Sequence, residues 1–185
     1  MDAVWTQVIE LGWDYVFSQF FAALSLLLVI IGFVQKSDHR LKWLLLVSCI
    51  TMAPHFYFLS AWAGFITNFV VLGRYVAALR WPGSRIAWVV FSGVGTALTL
   101  WYYRDARDLL VIGANVFGCT AVFLNKGLAM RWWFIPTTLC WLIYNGLNLS
   151  VFGVAFESFC LASNLIGIRR MQRQVAPAAS ACSGP

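Results

Sequence analysis

Polar and charged residues along this chain fall in short clusters between apolar blocks of about 17 to 20 residues, at 15–34, 41–58, 61–79, 86–103, 109–125, 132–149 and 151–170. A block of that length, wound as a helix, crosses a hydrocarbon core of roughly 30 Å with little tilt. Helices are the only open-chain solution there, because a bilayer offers backbone groups no water to bond. The pattern predicts seven spans. Blocks two and three meet at Leu59–Ser60, and blocks six and seven at Asn148–Ser150. Joints so short force antiparallel neighbours. Fusing each pair into one helix would give about forty residues, which overshoots any bilayer.

Composition places these blocks in lipid. The 185 residues are 61% hydrophobic and 11% charged, against roughly a quarter charged in soluble domains. The formal charge of +6 is split into small basic groups between apolar blocks, not gathered in a patch, so nucleic acid is not an expected partner. With the N-terminus outside, Lys36, Arg40, Lys42, Arg80, Arg85, Lys126, Arg131, Arg169, Arg170 and Arg173 fall on the cytoplasmic side. The outer side then keeps Arg104 and Arg107, together with Asp2, Glu10, Asp14, Asp105 and Asp108. This bias sets the N-terminus outside and the C-terminus in the cytoplasm. Acidic residues precede the first block where a secretory signal would carry positive charge, so that block is expected to be a mature span. Residues 1–14, with Trp5 and Trp13, are expected to lie along the outer interface. Residues 174–185, rich in small residues and proline, are expected to be disordered.

Shifting the chain on itself by 90 residues aligns Phe33 with Phe123, Lys36 with Lys126, Trp43 with Trp133 and Leu59–Ser60 with Leu149–Ser150. Phe69 then meets Phe159, and Arg80 meets Arg170. The identities are sparse, but both short joints and both basic ends coincide. The expected architecture is an all-α membrane protein with a first three-helix repeat at 15–79, a linker helix at 86–103 and a second repeat at 109–173. Parallel repeats of this kind are a recognised plan of secondary transporters. Ser92, Gly93, Gly95, Thr96 and Ala97 give the linker a small-residue surface for close packing.

The overlay sets Thr67 against Glu157, Arg74 against Asn164 and His55 against Asn145. Thr67 and Arg74, like Glu157 and Asn164, are spaced to share one helix face. Ionisable groups near a helix centre cost roughly 2.5–3.5 kcal/mol on insertion and usually face a bundle interior. Glu157, Arg74, Asn164, Thr67, Asn145 and His55 are therefore the candidates for a solute path between the repeats. Arg74 would hold an anionic or hydroxyl-rich group, and Glu157 would act as a proton or cation partner.

Plainer readings compete. Arg74 is near enough to the cytoplasmic end to snorkel, and Glu157 would then be only a hydrogen-bonding group. Asn68, Asn115, Asn145, Asn148 and Asn164 would bridge helices, at about 0.6 kcal/mol each. His55 has no second histidine or cysteine at metal-ligand spacing, which favours a structural role. Pro54 and Pro136 are expected to kink spans two and six. Cys49, Cys119, Cys140 and Cys160 lie in apolar runs without CxxC or Cys/His spacing, and read as apolar fillers. Asp105 and Asp108, in YRDARD, read as solvated loop charges. No nucleophile elbow, zinc helix or phosphate loop is present, which disfavours an enzyme and implies no cofactor or metal. The leading function is a carrier or facilitator of a small polar solute, with a proton-coupled cycle as one option and the bilayer as its surroundings. A non-transporting scaffold is the second reading and a lipid-modifying enzyme the third. Self-association is left open.

KGLAMRWW (126–133), CWLIYNGL (140–147), FESFCLASNLIGIRRMQ (156–172), HFYFLS (55–60) and Arg74 together resemble the YgjV-type family of bacterial inner membrane proteins. The resemblance covers most of 15–173 and implies an inner-membrane location with no established substrate. The three-plus-one-plus-three plan with an outer N-terminus is also similar to the SWEET sugar transporters. Those carriers place proline hinges in the first helix of each repeat, whereas spans one and five here have none. The resemblance therefore implies neither their rocking hinge nor their sugar-binding residues, and analogy of fold supplies no substrate.

Overall fold

The computed structural model describes residues 12–34 and 38–181, with side chains at 12–31 and 46–173. Its helices are α1 (Gly12–Val34), α2 (Asp38–Phe58), α3 (Trp62–Arg80), α4 (Arg85–Trp101), α5 (Asp108–Cys119), α6 (Gly127–Leu147) and α7 (Val151–Ala181). α5 runs on into a π-helical stretch, Thr120–Leu124. These helices sit on the seven apolar blocks. α6 begins at Gly127, earlier than expected, and takes in Arg131. α7 continues as helix past residue 173 to Ala181, into the part of the tail expected to be disordered. Most of the expected interfacial segment 1–14, and the loop holding Lys36, lie outside the described residues.

Gly12–Ile31, Trp62–Arg80 and Val151–Arg173 are each long and apolar enough to cross a membrane, while Leu46–Phe58, Arg85–Trp101 and Asp108–Leu124 are shorter apolar helices. The outward surface is apolar along the bundle: Ile50, Phe69, Val76, Val89, Ile143 and Ile166 are all exposed. Serine, threonine, asparagine, histidine, arginine and glutamate side chains are buried instead. Apolar outside and polar inside is the arrangement lipid selects.

The order of packing follows from the joints. α1 packs on α2 and α7, α2 on α3, α3 on α4 and α5, α5 on α6, and α6 on α7. Six helices thus close a ring, α1–α2–α3–α5–α6–α7, with α4 outside it against α3 and α5. Helices facing each other across the ring, such as α2 and α6, have no Cα pair within 8 Å among the described residues. The α1–α2 seam uses small residues at helical spacing, with Ser18, Ala22, Ser25 and Val29 buried on one stripe and the Ser25 hydroxyl bonded to the Ser48 carbonyl.

Both short joints are built alike. Ser60 and Leu149 adopt left-handed φ of 54° and 55°. The amides of Ala61 and Ser150 reach back to the carbonyls of Phe56 and Asn145, and those of Ser60 and Leu149 to Tyr57 and Gly146. This double bond pattern closes a helix C-terminus and reverses the chain at once. It equates Ser60 with Leu149, one residue short of the 90-residue overlay. At the offset of the joints, Asn68 and not Thr67 falls on Glu157, His55 on Tyr144 and Arg74 on Ser163.

α4 meets its neighbours through fewer residues than expected. Gly95 and Thr99 are buried, whereas Gly93 and Ala97 face outward. A Cβ at Gly95 would run into the Asn115 side chain, while one at Gly93 meets nothing within 4 Å. Asn115 Nδ2 is meanwhile tied to the Phe91 and Ser92 carbonyls of α4. Gly95→Ala is therefore expected to lower stability by about 1–2 kcal/mol, and Gly93→Ala to raise it by about 0.5–1 kcal/mol. Thermal unfolding in detergent, with the two variants side by side, checks the sign of each.

Candidate functional site: a polar interior beneath an aromatic and histidine seal

At the end of the bundle where the short joints lie, α2 and α6 meet across the ring. Phe56 stacks on Trp141 at 5.5 Å between centroids, Tyr144 packs beside them, and the Tyr144 hydroxyl accepts from the Gly64 amide at 3.3 Å. Ala22, Met52, Ala63 and Val111 complete this cluster, so α1, α2, α3, α5 and α6 all contribute to it.

His55 is fully buried next to that plug. Its Nδ1 lies 3.0 Å from the Ser18 carbonyl and 2.8 Å from the Ser18 hydroxyl. A carbonyl can only accept, so Nδ1 carries the proton and Nε2 is left as an acceptor. Ser150 Oγ, 3.2 Å away, donates to Nε2 and itself accepts from the Gly153 amide. Asn145 Oδ1 sits 3.4 Å from the same nitrogen, held there by the bond from its Nδ2 to the Trp141 carbonyl. A proton arriving at Nε2 would find that oxygen waiting. His55 and Asn145 are thus brought together across the ring, and Ser18 and Ser150 complete the group. The two serines went unread in the sequence, where a hydroxyl in an apolar run carries no distinct signal.

The remaining candidates go to different places. Thr67 pairs its hydroxyl with that of Thr99 on α4, 2.9 Å away, so it faces the linker and not the ring. Asn164 donates to the Arg131 carbonyl at 2.8 Å and lies 3.5 Å from the Arg131 guanidinium, joining α7 to α6. Asn68 does the same for α3 and α2, donating to the Cys49 carbonyl at 2.6 Å. For Asn68, Asn115 and Asn164 the helix-bridging reading holds.

Arg74 and Glu157 form no ion pair among the described residues. Arg74 is 2% exposed, so it does not snorkel out of the bundle. Its guanidinium lies against Gly118 of α5, where a Cβ would collide with it, 3.4 Å from the Asn115 carbonyl, 4.0 Å from Cys119 Sγ and 5.4 Å from the centre of the Tyr75 ring, a cation–π contact. Its Nε has no hydrogen-bond partner among the described residues. Glu157 is 8% exposed and has no hydrogen bond or ion pair among the described residues. Cys49 of α2 lies within electrostatic reach of both, Cys160 of α7 within reach of Glu157, and Tyr75 of α3 within reach of Arg74 and both thiols. All three side chains are partly exposed. No group of three or more metal-ligating residues occurs among the described residues.

Beside the seal, the loop between α4 and α5 is not merely solvated. Asp108 is buried and accepts from the Arg104 and Asp105 amides, closing the turn into α5. Arg107 grips Asp105 through a two-pronged ion pair and also reaches the Leu147 carbonyl at the end of α6. The guanidinium holds the Asp105 carboxyl below its ordinary value of 3.8. A lowered carboxyl stabilises the fold above its ordinary value and loses that contribution as pH falls through the lower, folded one. Asp105→Asn is expected to lower the melting temperature slightly at pH 7, where the exposed pair contributes, and to converge on the parent as pH falls below about 4, which melting-temperature profiles of the two proteins check.

A family model described as bacterial inner membrane protein, of the YgjV type, matches residues 16–175. The inner membrane protein YgjV of Escherichia coli strain K12 is 28% identical over 167 residues, covering 86% of this chain and 88% of its own. No solved structure matches the chain.

Proposed function

This chain belongs to the YgjV-type family of bacterial inner membrane proteins, a multi-pass protein of that membrane, and from that premise we propose that it carries a small polar solute across it. The observation that carries the reading is the pair Arg74 and Glu157: two buried groups of opposite type, without ion-pair partners among the described residues and both within electrostatic reach of Cys49. A buried charge without a partner is strongly destabilising, so its retention points to a partner that comes and goes.

The proposal includes two parallel three-helix repeats with α4 as linker, the N-terminus outside and the C-terminus in the cytoplasm. In favour of the repeats, the two joints share one bond pattern. The order of packing is also unchanged when α1 is exchanged with α5, α2 with α6 and α3 with α7, which trades the seam α1–α7 for α3–α5. The basic residues gathered at one end of the bundle favour the orientation. The His55 group and the Phe56–Tyr144 plug then form an outer gate, and the solute binds beneath it between Arg74 and Glu157. Opening requires the two repeats to part at Asn145 and Ser150. Chemistry on the solute is not part of this reading.

The scaffold reading is favoured by a different observation, that most interior amides and hydroxyls are paired. Thermal unfolding of the purified protein against a panel of small polar metabolites separates the two. A carrier gains stability from at least one chemical class, and Glu157→Gln or Arg74→Gln removes the gain. A uniform absence of shifts, together with reconstituted vesicles whose flux ignores both pH and Glu157→Gln, would support the scaffold.

A further inference from the structure

A cleft of about 780 Å³ opens at the basic end of the bundle, lined by Gly83, Arg85, Trp88, Val89, Phe123, Leu124, Asn125 and Lys126. None of these residues is acidic. Arg85 opens α4 and Lys126 precedes α6, and among the described residues neither side chain has a hydrogen-bond or ion-pair partner. The wall between them is pre-set by Thr120 in the π-helical stretch. Its hydroxyl accepts from the Trp88 indole N–H at 3.1 Å, and its carbonyl accepts from Asn125 Nδ2 at 2.9 Å. The rest of the wall is apolar, with Val89 58% and Leu124 43% exposed. Trp81, Trp132 and Trp133, also exposed at this end, set it at the level of the membrane interface.

We propose that this cleft is a binding site for an anionic glycerophospholipid, with the headgroup phosphate between Arg85 and Lys126 and an acyl chain along Val89 and Leu124. The charges favour an anion, as basic pockets between helices do at a membrane surface. The apolar wall selects a lipid over a soluble phosphate, which would gain nothing from it. The volume falls within the range of small-ligand pockets, roughly 300–1,000 Å³. The site is separate from the Arg74–Glu157 interior and stands whether or not a solute is carried.

Native mass spectrometry of the full chain in detergent, titrated with dioleoyl phosphatidylglycerol, dioleoyl phosphatidylcholine or glycerol phosphate, tests it. Phosphatidylglycerol should be retained about tenfold or more over phosphatidylcholine, with glycerol phosphate held far more weakly than the lipid. Arg85→Gln with Lys126→Gln should erase the preference and leave the melting temperature in lipid-free detergent unchanged. Should the double variant misfold, each single variant should lose part of the preference. Equal retention of the two lipids overturns the proposal, as does a preference that survives both substitutions. Saturation by glycerol phosphate alone makes it a free-phosphate site and overturns the lipid assignment.

Discussion

His55→Ala is expected to be among the most destabilising single substitutions in the chain, by about 3 kcal/mol, seen as a lower melting temperature in detergent. The imidazole joins α1, through Ser18, to the α6–α7 joint, through Ser150 and Asn145. Removing it strands hydroxyl and amide groups that have no water to turn to. The effect should be shared and not additive. His55→Ala combined with Asn145→Ala should cost clearly less than the separate losses added, because the two side chains belong to one group. His55→Asn should recover little, since one short amide cannot reach both sides. If His55→Ala melts within about 0.5 kcal/mol of the parent, the proposed gate is not held by this residue.

Arg74→Met is expected to act in the opposite direction on stability while removing function. Among the described residues the guanidinium has two long polar contacts and one aromatic face, that of Tyr75, and no ion pair, while its Nε has no hydrogen bond. Methionine keeps the length and removes a buried charge, and replacing buried charge by fitted apolar groups is often stabilising by about 1–4 kcal/mol. The melting temperature should therefore hold or rise, and the added stability conferred by a bound solute should vanish. Gain of stability with loss of function marks a site kept for its chemistry. A plain loss of stability in Arg74→Met, with solute binding retained, would instead make Arg74 a structural residue.

The helices were readable because lipid imposes one rule at every position: an apolar run of bilayer length must be a helix. That rule places seven of them and the two short joints. It says nothing about which way a polar side chain turns within a bundle. Thr67 and Arg74 share a helix face in the sequence, yet Thr67 bonds to Thr99 on the linker while Arg74 turns to α5. Asn164 likewise follows Glu157 by two turns but serves the α6–α7 seam. The offset of 90 rests on identities among apolar residues, whereas the paired amides at Ser60 and Leu149 match the two joints at 89. Ser18, Ser150 and the thiols at Cys49 and Cys160 became meaningful only once the ring brought distant helices together.

The most direct measurement of a shared interior uses those thiols. In a chain carrying serine at Cys119, Cys140 and Cys182, a small charged methanethiosulfonate reagent is applied to membranes. A cysteine at the exposed, lipid-facing Val76, in a chain with all native cysteines replaced, serves as the reference. Carriage through the ring predicts that Cys49 and Cys160 react far faster than the reference, and that a stabilising solute slows them. Thiols as inert as the Val76 reference, with or without solute, would contradict a water-filled path between Arg74 and Glu157.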